Sequence, residues 1–126
     1  MRVLLRITAA AAFGWAILLL ACKHVLLSDD AFSPIAQGLG NALGIANVVL
    51  AYLFWYASRD PLANRGTVYG AIMWTAFKTA NDLFDLLVLL PPNHVLPSLG
   101  DLAVSLTLLV GLLEALPRLL AGQRPV

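Results

Sequence analysis

Apolar residues fill this chain in four long blocks, each separated from the next by a short cluster of turn-forming residues. The first block covers residues 3–27, is rich in Leu and Ala, and stops at Ser28-Asp29-Asp30. The second covers 34–57. It opens at Ser33-Pro34, where serine can cap a helix and proline fits its first turn, and it closes before Ser58-Arg59-Asp60-Pro61. The third covers 66–90 and is stopped by Pro91-Pro92. The fourth covers 98–116, opening at Pro97-Ser98 with Pro117 near its end. A bilayer core about 30 Å thick is crossed by roughly 20 apolar helical residues, so every block is long enough to span one. The pattern predicts an all-α integral membrane protein, an antiparallel bundle of four transmembrane helices forming one domain over residues 1–126. Short loops make consecutive helices antiparallel neighbours.

Composition supports that reading. Hydrophobic residues make up 60% of the chain and charged ones 12%, against about a quarter charged in an ordinary soluble domain. A chain this short cannot hide so much apolar surface in a water-surrounded core. The net charge is +1. With no basic arm and no Gly-rich phosphate loop, nucleic acid is not an expected partner. The expected partners are the lipid bilayer and either a second copy of the chain or another membrane protein. No cofactor motif is visible. The single cysteine, Cys22, excludes an internal disulfide and a Cys-rich metal site.

Orientation follows from arginine placement. Arg2 and Arg6 flank the start, Arg59 and Arg65 lie in the middle loop, and Arg118 and Arg124 lie in the tail, whereas the other two loops contribute only Lys23. The positive-inside rule then puts both termini in the cytoplasm, with a bacterial inner membrane as the expected location. Trp55 and Tyr56 fall where an interfacial aromatic belt would lie. Leu19-Leu20-Ala21-Cys22 has some likeness to a lipidation signal. The simpler reading makes Cys22 a small apolar residue near the outer end of helix 1.

Charged side chains at bilayer depth cost at least ~2.5 kcal/mol each on insertion scales, so they turn toward protein or water and often mark function. Lys78, Asn81, Asp82 and Asp85 fall at i, i+3, i+4 and i+7, which places them on one helix face. Trp74 lies one turn earlier on the same stripe, and Ala76, Ala80, Leu83 and Leu87 make the opposite face apolar. At about 1.5 Å per residue, Lys78 and Asn47 fall near the midplane, with Asp82 near the level of Asn41. The depths predict three layers. Arg6 with Glu114 forms an inner one; Asn47, Lys78, Asn81 and Asp82 form a middle one; Lys23, His24, Asp85 and Asp101 form an outer one. Helix 2 adds Gln37, Asn41 and Gly44 on one face, and Gly40-Asn41-Ala42-Leu43-Gly44 has the GxxxG spacing that lets two helix backbones approach.

Two roles fit the stripe. Lys78, Asn81, Asp82 and Asp85, with Asn41 and Asn47, are candidates to line a polar cavity that binds a small ligand or relays a proton. Alternatively, Lys78 and Asp82 form an ion pair that holds the bundle together. Asp101 reads as the acid of a capping box, Ser98-Leu99-Gly100-Asp101. Glu114 is expected to pair with Arg6 or Arg118. His24 and His94 lack the spacing of metal ligands and read as loop histidines, and Asp60-Pro61 reads as a tight turn. No nucleophile motif is present, so an enzyme is not expected. Nor does the chain carry the first-span acid of small multidrug-resistance transporters or the Gly-rich, Arg-containing pattern of dual-topology fluoride channels. The expected function is an accessory or structural membrane component with buried charge pairs. The alternative is a small oligomeric transporter or ligand-binding protein built on helix 3.

Overall fold

The computed structural model describes residues 1–21, 34–89 and 95–122. Cys22, Lys23, His24, His94 and Arg124, which enter the sequence expectations, lie outside the described residues. Four helices account for almost all of the rest: α1 (Arg2–Ala21), α2 (Pro34–Ala57), α3 (Arg65–Phe84) and α4 (Val95–Ala121). A π-helical turn, Asp85–Leu89, extends α3. The predicted all-α architecture is therefore present. The predicted second and third spans coincide with α2 and with α3 plus its π turn, within a residue. The fourth is longer than expected, because Pro117 lies inside α4 and does not end it.

Three segments are long and apolar enough to cross a membrane: Arg2–Ala21, Gln37–Ala57 and Ser98–Ala121. The α3 helix falls short on mean hydropathy, and the reason is local: it carries Thr67, Thr75, Thr79, Lys78, Asn81 and Asp82. Those polar groups are not spread around it. It buries Val68, Ala71, Thr75 and Asp82, while Met73 (72%), Phe77 (77%) and Leu87 (74%) stand exposed on the outside. This is inside-out relative to a water-soluble helix, whose outward face is polar. The other helices behave alike, with Ile7, Phe13, Leu39, Ile45, Val49, Val104 and Leu113 all exposed. An exterior so uniformly apolar far exceeds the isolated patches that soluble monomers tolerate.

The interior is narrow and built from small side chains. On α1 the buried residues are Leu5, Thr8, Ala9, Ala12 and Ala16, a helical stripe of mostly one-carbon side chains. α1 packs most extensively on α2, and α3 on α4. Small residues permit this closeness. At Gly44 of α2, an added Cβ would lie 2.6 Å from Leu20 Cγ of α1, and at Gly111 of α4 it would lie 3.0 Å from Leu4 Cδ2. The GxxxG motif is thus half used within the described chain: Gly44 receives α1, whereas Gly40 meets nothing within 4 Å among the described residues. The apolar core gathers at one end of the bundle, where Leu5, Phe54, Val68 and Leu112 come together from all four helices. Arg2, Arg6, Arg59, Arg65 and Arg118 sit on that same end, as the antiparallel topology requires.

The link between α2 and α3 is held by its own polar groups. Asp60 Oδ1 accepts the Ala63 N–H at 3.1 Å, and Asn64 Nδ2 donates to the Asp60 carbonyl at 2.8 Å. The predicted Asp-Pro turn is present, with Pro61 buried. Hydroxyls inside the helices satisfy themselves on the preceding turn: Thr8 on Leu4 O, Thr75 on Ala71 O and Thr79 on Thr75 O. Among the described residues no buried side-chain nitrogen or oxygen lacks a partner. A chain surrounded by hydrocarbon needs this completeness, since no water is there to make good a missing bond.

Candidate functional site

Lys78 is the centre of the polar interior. Its Nζ lies 2.5 Å from Asp82 Oδ1, one turn on along α3, and 2.5 Å from Asp101 Oδ2 of α4. The remaining side of the ammonium faces the ring of Trp15 on α1, with Nζ 4.0 Å from the ring centroid. A cation over an indole face in a desolvated setting is stabilised by about 2 kcal/mol. The second oxygen of Asp82, Oδ2, accepts the Ser105 hydroxyl of α4 at 2.9 Å. Both Asp82 oxygens are therefore used, and one ammonium ties α1, α3 and α4 together. Burial grades across the cluster. The side chain of Asp82 is 6% exposed, that of Lys78 14% and that of Asp101 35%.

The predicted four-residue stripe divides. At about 100° of rotation per residue, Lys78, Asn81, Asp82 and Asp85 spread over roughly a quarter of the helix circumference. Lys78 and Asp82, on one side of that arc, meet α4. Asn81 is exposed and donates from Nδ2 to Asp85 Oδ2 at 3.1 Å. This second pair sits where α3 passes into its π turn, with the Asp85 backbone N–H shared between the carbonyls of Asn81 and Asp82. Asn47 belongs to neither pair. Its Oδ1 accepts the indole N–H of Trp74 at 3.1 Å, while its Nδ2 donates to Leu43 O. Asn41 lies exposed on α2.

Two expectations are corrected. Asp101 does not close the start of the fourth helix. That helix already begins at Val95, and the Asp101 carboxylate instead takes the Lys78 ammonium across the α3–α4 interface. An ion pair with a buried lysine outweighs a cap that the helix does not need, and it moves Asp101 from the predicted outer layer to the middle one. Glu114 does not pair with Arg6 or Arg118; it is exposed and makes no ion pair among the described residues. Arg6 turns to α2 instead. Its Nε donates to Ser58 Oγ at 3.4 Å and its guanidinium lies 5.4 Å from the Trp55 ring centroid.

Trp15, Ser105 and Ser58 complete these contacts and were not singled out from the sequence. Ser105 was within reach, because it stands four residues after Asp101 and so shares its face. Trp15 carried no local signal, since its role depends on how α1 sits against α3. Among the described residues no group of three His, Cys, Asp or Glu side chains is placed to hold a metal ion. Comparison with protein-family models, curated proteins and solved structures finds no match.

Proposed function

We propose that this chain is a multi-pass protein of the cell (inner) membrane, crossing the bilayer four times with both termini in the cytoplasm. In this reading it is a non-enzymatic component whose buried charges set the arrangement of its helices. The observation that carries it is the triple engagement of Lys78 with Asp82, Asp101 and Trp15. Each contact comes from a residue that would be costly to bury alone, and together they leave little of the ammonium open to a ligand. The inward turn of the polar α3 face and the exposed apolar faces of all four helices support the fourth span. The arginines gathered at one end support the orientation, and exposed Tyr52, Trp55, Tyr56 and Tyr69 at that end suit an interfacial belt. A partner protein or a second copy would meet the apolar exterior.

The test is replacement. Ion pairs of this kind can be exchanged for apolar residues of similar volume with little loss, whereas removing one member strands the others. K78M/D82L/D101L is therefore expected to fold in detergent with an unfolding midpoint close to that of the parent. Reporter fusions at both termini are expected to stay on the cytoplasmic side. A terminus outside, or a chain monodisperse in buffer without detergent, overturns the proposal.

One observation favours a second reading, a transporter or ligand-binding protein. The network has one ammonium for two carboxylates, and Asp101 is a third exposed, with the Asn81–Asp85 pair nearby. Such an imbalance suits a small cation or a passing proton. Asp82→Cys and Asp85→Cys in a Cys22-free background discriminate the two. Labelling of both by hydrophilic thiol reagents from outside supports a water-filled path, and protection of both supports packing.

A further inference from the structure

α1 and α2 leave a groove between them, open to the outside of the bundle, with a volume of about 330 Å³. Small residues (Ala9, Ala10 and Ala51) and the rings of Phe13, Tyr52 and Trp55 line it. The volume is at the low end of the roughly 300–1,000 Å³ of small-molecule sites, and the lining offers nothing to a polar ligand. One end of the groove is different. Arg6 stands there, exposed, with its guanidinium 5.4 Å from the Trp55 ring and its Nε held by Ser58 Oγ. No carboxylate pairs with it among the described residues. The side chain is thus fixed at two points while its charge goes uncompensated, directly beside an apolar channel. Arg2 lies one turn earlier on α1, and Arg59 follows Ser58 on the same end.

We propose that this groove binds one anionic glycerophospholipid, with an acyl chain along Ala10, Phe13 and Tyr52 and the phosphate on Arg6. A guanidinium presents paired N–H donors that match phosphate oxygens. Tyr52 and Trp55 stand at the level where aromatic rings meet headgroups. Charge complementarity selects a lipid over a purely apolar helix, which would leave Arg6 without a counter-charge. The inference rests on the membrane reading given above, and the experiment separates the two.

The full chain, purified in detergent, is mixed with equal amounts of phosphatidylglycerol and phosphatidylcholine carrying identical acyl chains, and retained lipid is read by native mass spectrometry. One phosphatidylglycerol per chain is expected, preferred about fivefold over phosphatidylcholine, the scale of one arginine at an anionic surface. R6Q, at an exposed position, is expected to bring the ratio near one. A10F, filling the groove from another exposed position, is expected to reduce retention of both lipids. Equal retention by the parent chain overturns the proposal, as does a preference that survives R6Q. So does a dimer that excludes phosphatidylglycerol and is lost in A10F, since the occupant is then a second copy. If A10F does not fold, the parent and R6Q decide the matter. A chain that needs detergent but shows no headgroup preference sinks only the lipid site, whereas one soluble without detergent sinks the membrane reading itself.

Discussion

The two ends of the bundle are held together by different forces. At the end carrying both termini, Leu5, Phe54, Val68 and Leu112 meet in an apolar cluster, with Ala9, Ala12, Ala51 and Ala57 letting the backbones approach. Half a bundle away, Lys78, Asp82, Asp101 and Ser105 meet in a charged one. The apolar end relies on close contact, because a hydrocarbon surround provides no hydrophobic force between helices. Its partners are interchangeable in kind, and any side chain of the right volume would serve. The charged end relies on direction. An ammonium is satisfied only where carboxylates and an aromatic face converge, so it admits few helix arrangements. Packing at one end permits the bundle; pairing at the other specifies which bundle forms.

This contrast can be broken from either side. Phe54→Ala empties the apolar end and is expected to have the largest effect, a loss of about 3–5 kcal/mol if the site cannot collapse, read from reversible unfolding in mixed micelles. Lys78→Met strands two carboxylates and is expected to cost about 3 kcal/mol, toward the lower end for a buried partner because Asp101 is partly exposed. The same unfolding assay checks it. Adding D82L and D101L to K78M is expected to return most of that loss. If the triple variant is as unstable as K78M, the charges contribute more than mutual compensation, and the contrast drawn here fails. Ser105→Ala removes the bond to Asp82 Oδ2, and Trp74→Phe removes the bond to Asn47. Each is expected to cost ~0.6–1.7 kcal/mol, the range of interhelical hydrogen bonds in membranes. A larger loss in Trp74→Phe would point to the edge-on contact with Phe54, whose centroid lies 6.1 Å away, and thus to coupling between the two ends.

The polar residues differ in how far they could be read from sequence. That Lys78 and Asp82 pair within α3 follows from their spacing of four residues alone. That Asn81 and Asp85 pair separately follows from the same rule, but which pair turns inward depends on where α4 lies. Asp101 looked like a helix cap because it stands three residues after Ser98, a motif that only holds where the helix begins there; α4 starts earlier, at Val95. Arg6 and Glu114 were matched by depth, yet depth fixes only one coordinate. Rotation about the helix axis turned Arg6 toward Ser58 and left Glu114 facing outward.

From the sequence alone came the helical class, the positions of four apolar blocks, the Asp60-Pro61 turn and the gathering of arginines at one end. These depend on hydropathy and local geometry, which a residue carries with it wherever it sits. Only the tertiary structure decided that Lys78 joins α3 to α4 and α1, that Trp15 and Ser105 complete its surroundings, and that Arg6 stands beside an apolar groove without a carboxylate partner. Those facts depend on the rotation and offset of one helix against another. Small side chains in the interior determine both, and they act only once the helices are in contact.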